Sequence, residues 1–282
     1  NSFTNRTIID AQLTELKLVG NGSNNQIIDG LTIINSKVVS GQGAFFGVCY
    51  SKNLITQDCI GVRGSFYGTN YCSNLIAINC TATGDGGGFY SIINSNNLIA
   101  INCKANNGGG IYAATNCNNL LLLNCIASTS GGGLSTATNC CNIKVINCSA
   151  PQIGSGTFAD NNCKNELVLN CSGSSAVYLT SSVQFQHYTV ANCLCPYAIV
   201  LPGGIALSTP NKMVNAVCLN NKDTNGSLVG FRLNSANYYY KLYNCRADAA
   251  INYAANAATN ADIQNFVYVQ NDNSETKFLN KG

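Results

Sequence analysis

The chain has 282 residues, of which 46% are hydrophobic and only 10% charged, with a formal net charge of +3, sixteen cysteines and one histidine. A charged fraction so far below the usual quarter leaves the surface to Asn, Ser, Thr and Gly. The scattered Lys and Arg form no basic run, and no apolar stretch approaches the roughly 18 residues of a membrane-spanning helix, so neither nucleic acid nor membrane insertion is expected.

The chain opens "NSFTNRTIID", with no Met and no signal-like apolar core, which suggests a soluble protein whose start has been trimmed. Residues 1–35 read as N-terminal coils. From 36 to 200 the sequence repeats itself: "NLIAINCTATGDGGGFYSIINS" at 74–95 is followed by "NLIAINCKANNGGGIYAATNC" at 97–117. One cysteine recurs at Cys59, Cys80, Cys103, Cys125, Cys148, Cys171 and Cys193, in steps of 21, 23, 22, 23, 23 and 22. A second series runs Cys49, Cys72, Ser95, Cys117, Cys140 and Cys163. Asparagine keeps the same beat at Asn79, Asn102, Asn124, Asn147, Asn170 and Asn192, and again at Asn74, Asn97, Asn119, Asn142 and Asn165. Glycine triplets mark a further column at Gly86–Gly88, Gly108–Gly110 and Gly131–Gly133.

A period near 22 residues indicates a solenoid, either a leucine-rich repeat or a parallel β-helix. Each unit consists of a short apolar run such as Leu98–Ile101, Asn-Cys, a polar turn, three glycines, an apolar pair and an Asn-rich turn. That leaves no room for an amphipathic helix, and glycine triplets oppose one. The expected fold is all-β: a right-handed parallel β-helix of about 11–12 coils with a repeat near 22–23 residues, forming a single domain over 1–282. Residues 201–282 read as less regular coils, with a loop within Leu201 to Thr224.

Like residues of successive coils would stack about 4.8 Å apart. An Asn column suits tight turns, because Asn tolerates the left-handed conformation and its amide can bond to the Asn above and below. The cysteine column admits two readings, disulfides between coils or free buried thiols. An unbroken column would pair ambiguously, which favours free thiols and a reducing compartment.

The Asn-Leu-Ile-x-Ile-Asn-Cys runs with their Asn ladders resemble the single-stranded right-handed parallel β-helix superfamily of pectate lyases, polygalacturonases and phage tailspikes. The resemblance covers nearly the whole chain and implies fold, not function. Its enzymes use paired carboxylates, or Ca²⁺ with a basic residue, on acidic or neutral polysaccharides.

The twelve acids are mostly alone in their coils, and no column supplies the two carboxyls a glycosidase needs. No metal site, cofactor or activated cysteine is expected. His187, in "SVQFQHYTVANC", reads as structural. The one constellation is Arg63, Asp85 and Asn107, each about one coil after the last, a weak candidate for sugar binding or catalysis, with a surface ion pair as the plainer reading. Of six sequons, Asn79, Asn147 and Asn170 belong to the ladder, leaving Asn5, Asn21 and Asn225 for glycan.

A solenoid sheet should alternate apolar and polar residues, and here it does not. One column of Leu75, Leu98 and Leu120 is interleaved with Ile76, Ile78, Ile99, Ile101, Leu121, Leu123, Ile146 and Leu169. Whichever set points inward, the other leaves an apolar strip, broken only by residues such as Lys144 or Glu166. With the second set outward, it is expected to be an interface with another copy or another subunit, a threefold arrangement being favoured, and a covering loop or terminal segment is the alternative. Asn-Cys solenoids also resemble proteins of large DNA viruses and intracellular bacteria. The functional expectation is therefore a structural or receptor- or glycan-binding fibre or spike component of a virion or particle surface, without catalytic activity. The alternative is a polysaccharide lyase or glycoside hydrolase with its site on the outer groove or between subunits.

Overall fold

The computed structural model describes residues 7–12, 18–19, 27–39, 43–179, 184–201, 211–233, 240–249, 251–253, 261–264, 266–268 and 277–279. Every regular element among them is a strand. A single repeat shows how a coil is made: Asn96–Ile101 lies in a first sheet, Lys104–Asn107 in a third and Ile111–Thr115 in a second, and Asn118–Leu123 returns to the first. The three sheets have 16, 11 and 6 strands. Pairing is parallel, apart from Phe266–Tyr268 against Lys277–Leu279 and the isolated Lys222–Leu228 bridge. The chain is thus an all-β parallel solenoid, as expected.

The regular stack amounts to about seven turns, and the second sheet extends along the axis for eleven strands. Among the described residues the third sheet runs from Ile60–Gly61 to Ser172–Gly173, and single parallel bridges, Lys37–Ile60, Ser172–Leu194 and Leu194–Lys222, continue its pairing beyond. Of the loop expected after Leu201, 202–210 lie outside the described residues, while Asn211–Val214 is a strand of the first sheet. Asn5 and Asn21 also lie outside them; Asn225 is exposed in a turn, its N–H donating to Asp223 Oδ1 at 2.9 Å.

The first sheet resolves which apolar column faces in. Leu75, Ala77, Leu98, Ala100, Leu120, Leu122, Ile143, Val145 and Val168 are buried, and each large side chain so placed contributes about 1.5–3 kcal/mol. The second sheet adds a buried stack of Phe45, Phe66 and Phe89, with ring centroids 5.1 and 5.0 Å apart. Glu166 occupies the inner position held by Ile143 and Tyr188 in adjacent coils and is 2% exposed, so it does not interrupt the outer strip. Lys144, between Leu121 and Leu167, does.

The glycine triplets serve two purposes. The first glycine turns the chain, with φ of 68° at Gly86 and 59° at Gly108. The second lets coils close up, since a Cβ on Gly87 would sit 2.3 Å from the Gly109 carbonyl oxygen.

Asparagine performs the other turns. Asn79, Asn102, Asn124, Asn147 and Asn170 have φ between 52° and 55°. Asn102 Nδ2 donates to Asn79 Oδ1 at 3.0 Å, and Asn124 Nδ2 to Asn102 Oδ1 at 3.1 Å. The Asn74 column is bonded in the same way, with Asn97 to Asn74 and Asn119 to Asn97 both at 2.9 Å. A third ladder, Asn94–Asn116–Asn139–Asn162, was not anticipated. Its signal was an Asn before each of Ser95, Cys117, Cys140 and Cys163. His187 stands one rung beyond Asn165, exposed and with φ 59°, a conformation His tolerates better than most residues.

All sixteen cysteines are free, and fifteen are buried. In the long column the sulfur of Cys103 lies 3.6 Å from the Ala77 carbonyl and 3.5 Å from that of Ile101. Burial pushes the thiols of Cys72, Cys195 and Cys245 up to about 11, so these three sit in the core as neutral, small apolar groups.

Two outcomes are expected. Asn102→Ala loses both ladder bonds and forces a Cβ-branching-free but non-Asn residue into the left-handed region, costing about 2–3 kcal/mol; Asn102→Gly keeps the turn and costs about 1 kcal/mol less, read by denaturant unfolding. Equal losses would remove backbone conformation from the account. In the native protein at pH 8, an aromatic disulfide reagent modifies only the half-buried Cys141, and unfolding releases the rest; several fast-reacting thiols in the folded state would contradict the sealed column.

Candidate functional site

The parallel register that stacks the core also stacks the outer surface. On the second sheet Phe46, Tyr67, Tyr90 and Tyr112 fall at one position of successive coils. Their ring centroids are 5.2, 5.0 and 5.2 Å apart, with interplanar angles of 27°, 13° and 15°. Each such contact is worth about 0.5–1.5 kcal/mol beyond area burial. Because the faces are taken up by one another, the half-buried rings offer their edges and hydroxyls to the outside.

Arg63 lies at the margin of this ladder. Its guanidinium carbon is 5.6 Å from the Tyr67 ring centre and 4.9 Å from that of Tyr90, and Nη1 donates to the Tyr67 hydroxyl at 3.1 Å. That hydrogen bond first, then the neighbouring Tyr90, Tyr67 and Asp85, raises the pKa of a group that is already always charged. Burial, followed by the charge of Asp85, raises the Tyr112 phenol.

Asp85 and Asn107 come together as the spacing suggested. Asp85 Oδ1 accepts from Asn107 N at 3.2 Å and from Asn107 Nδ2 at 2.9 Å, and the Thr129 hydroxyl bonds to Asn107 Oδ1. Each acid or amide directly precedes a turning glycine, Gly86 or Gly108, so the row follows the corner between the third and second sheets. Arg63 does not close an ion pair with Asp85, which corrects the plainer expectation: among the described residues the side-chain ion pair is Lys52–Asp29 at 3.4 Å. Its approach to the two tyrosines and its hydrogen bond to the Tyr67 hydroxyl hold the guanidinium elsewhere. Gly64, one coil back, donates its N–H to the Asp85 carbonyl, and Gly86, beside Asp85, donates to the carbonyl of Asn107 in the next coil, so the register places no second carboxylate beside Asp85. Among the described residues, no group of three His, Cys, Asp or Glu is placed to hold a metal ion.

Sequence reasoning missed the tyrosines. Their signal was available, as Tyr67, Tyr90 and Tyr112 recur in steps of 23 and 22 just past the glycine-rich turns.

The expected interface residues lie on the outer face of the first sheet. Ile76, Ile78, Ile99, Ile101, Leu121, Leu123, Ile146 and Leu169 are all half-buried in the isolated chain. Two of them, Ile99 and Leu121, line a groove of ≈ 580 Å³ with Lys144, bordered by Asn97, Asn119 and Asn142.

Asp85→Ala is expected to lower stability by about 1–2 kcal/mol through loss of the two N–H bonds from Asn107, whereas Arg63→Ala leaves the melting temperature nearly unchanged. A large loss in Arg63→Ala, measured by thermal unfolding, would make the arginine a strut of the fold.

No family model and no curated protein matches the chain. Among solved structures it resembles the catalytic domain of a GH87 alpha-1,3-glucanase in complex with tetrasaccharides, at 14% identity and a TM-score of 0.38, over 93% of this chain and 62% of that one. The chain therefore spans less than two-thirds of that domain, and a likeness at this level carries no argument about activity. The strand pairing itself places the chain: it is a parallel β-helix, with its like residues laddered from coil to coil.

Proposed function

We propose that the protein is a rigid glycan-binding β-helix that works by recognition, as part of a homo-oligomeric fibre or spike at the surface of a virion or similar particle. The observation that carries the binding half is the exposed Arg63 seated on Tyr67 and Tyr90, one coil from the Asp85–Asn107 pair. A guanidinium, phenol hydroxyls, a carboxylate and an amide on one rigid edge are the donors and acceptors that a polyol needs, held without loss of side-chain freedom on binding. The single carboxylate at this place favours recognition over hydrolysis.

The assembly half is supported by the half-buried Ile and Leu strip of the first sheet, an apolar surface of several coils that a second and third copy would cover. Free thiols in every column fit assembly in a reducing compartment.

On a glycan panel, retained ligands are expected to bind at least about tenfold more weakly to Arg63→Ala and Tyr90→Ala, with the circular dichroism spectrum unchanged. Binding that survives both substitutions would discard this edge as the site, and release of reducing ends, lost in Asp85→Ala, would replace recognition by cleavage. Light scattering is expected to give a trimer with or without reductant, and a monomer for Leu121→Lys. A monomeric parent chain would remove the assembly half and leave a single-chain binding module.

A further inference from the structure

The outward column of the second sheet continues beyond the tyrosines, through Ser135 and Phe158 to Tyr178, Val200 and Arg232. At that end the surface dips into a pocket of ≈ 200 Å³, lined by Ile153, Ser174, Ser175, Tyr178, Tyr197 and Arg232 around the buried Val200.

The chemistry of the pocket is set by Arg232. Its guanidinium carbon lies 4.3 Å from the centre of the Tyr197 ring, so a face of the planar group is taken by an aromatic surface. Its donors point in the plane, where a carboxylate or sulfate can meet them side by side. Nε is buried and has no hydrogen-bond partner, a costly state for a charged donor unless an acceptor arrives. No carboxylate is among the lining residues. Ser175 is buried in the wall, and its Oγ accepts from Gly154 N at 3.1 Å, which leaves the hydroxyl proton free to donate. The volume suits a single small ring with one charged substituent, or a free oxyanion, and is too small for most drug-sized ligands.

We propose that this pocket binds an oxyanion, a carboxylate or an ester sulfate, with Arg232 as its anchor and Tyr197 holding the guanidinium in place. The site is separate from the Arg63 edge; only the idea that the oxyanion is carried on a sugar rests on the glycan reading above.

The test is titration calorimetry of the whole chain with galactose, galactose 6-sulfate, glucuronate and inorganic sulfate. At least one anionic probe is expected to bind, with galactose silent. Arg232→Gln is expected to weaken it at least about tenfold, Arg232→Lys to recover part of the loss, and Arg63→Ala to leave it intact. Sulfated galactose binding more tightly than inorganic sulfate assigns the site to a sugar; equal affinities assign it to a free oxyanion. Should Arg232→Gln fail to fold, the Arg232 ¹⁵Nε resonance of the parent chain is expected to shift on titration. Undiminished binding in folded Arg232→Gln, an unmoved resonance at saturation, or no anionic probe bound by the parent chain would overturn the proposal. Glycan-panel binding that survives Arg63→Ala and Tyr90→Ala, with oxyanion binding lost in Arg232→Gln, would sink the former reading and leave this one standing.

Discussion

Everything in this molecule depends on parallel, in-register pairing between one coil and the next. It sets Ile99 beside Ile76 and Leu121, Phe66 between Phe45 and Phe89, and Asn102 between Asn79 and Asn124. A residue chosen once is multiplied along the axis, so each position is tested against copies of itself. Asn, aromatic rings and small thiols survive that test because they bond or stack with their own kind. Lys and Glu do not, since like charges about 5 Å apart repel. The scarcity of charge is thus a consequence of the repeat and is compatible with a well-built surface.

The same multiplication gives the protein its surfaces. A ladder of tyrosines, an Asp85–Asn107–Thr129 row and an apolar strip of Ile and Leu are each a column seen from outside. The surface chemistry of such a scaffold changes where a column meets an unlike residue: Arg63 against the tyrosines, Arg232 after Val200, Lys144 among the leucines. These departures carry the charge that the ladders exclude.

Much of this was legible in the chain as written. A period of 21–23 residues, recurring Asn-Cys and glycine triplets left no room for helices and led to a parallel β-helix. The meeting of Asp85 with Asn107 followed from spacing alone. The contribution of Arg63 did not, because spacing places a Cα in a coil but does not say whether a long side chain turns along the axis to an acid or across to an aromatic ring. Arg232 and Tyr197 were invisible for a similar reason, since they lie where the repeat lengthens and no column links them.

By itself the sequence determined the fold class, the ladders of Asn79 and Asn74 and the free state expected of the thiols, since periodicity acts through nearest neighbours and needs no knowledge of the whole. Tertiary structure alone decided which of two apolar columns faces inward. Both Leu75–Leu98–Leu120 and Ile76–Ile99–Leu121 are apolar, and only the closing of three sheets around one interior selects between them. It also gathered Ile153, Ser174, Tyr197 and Arg232 into one pocket from four successive coils, because a cavity is a property of how coils close and no residue carries it alone.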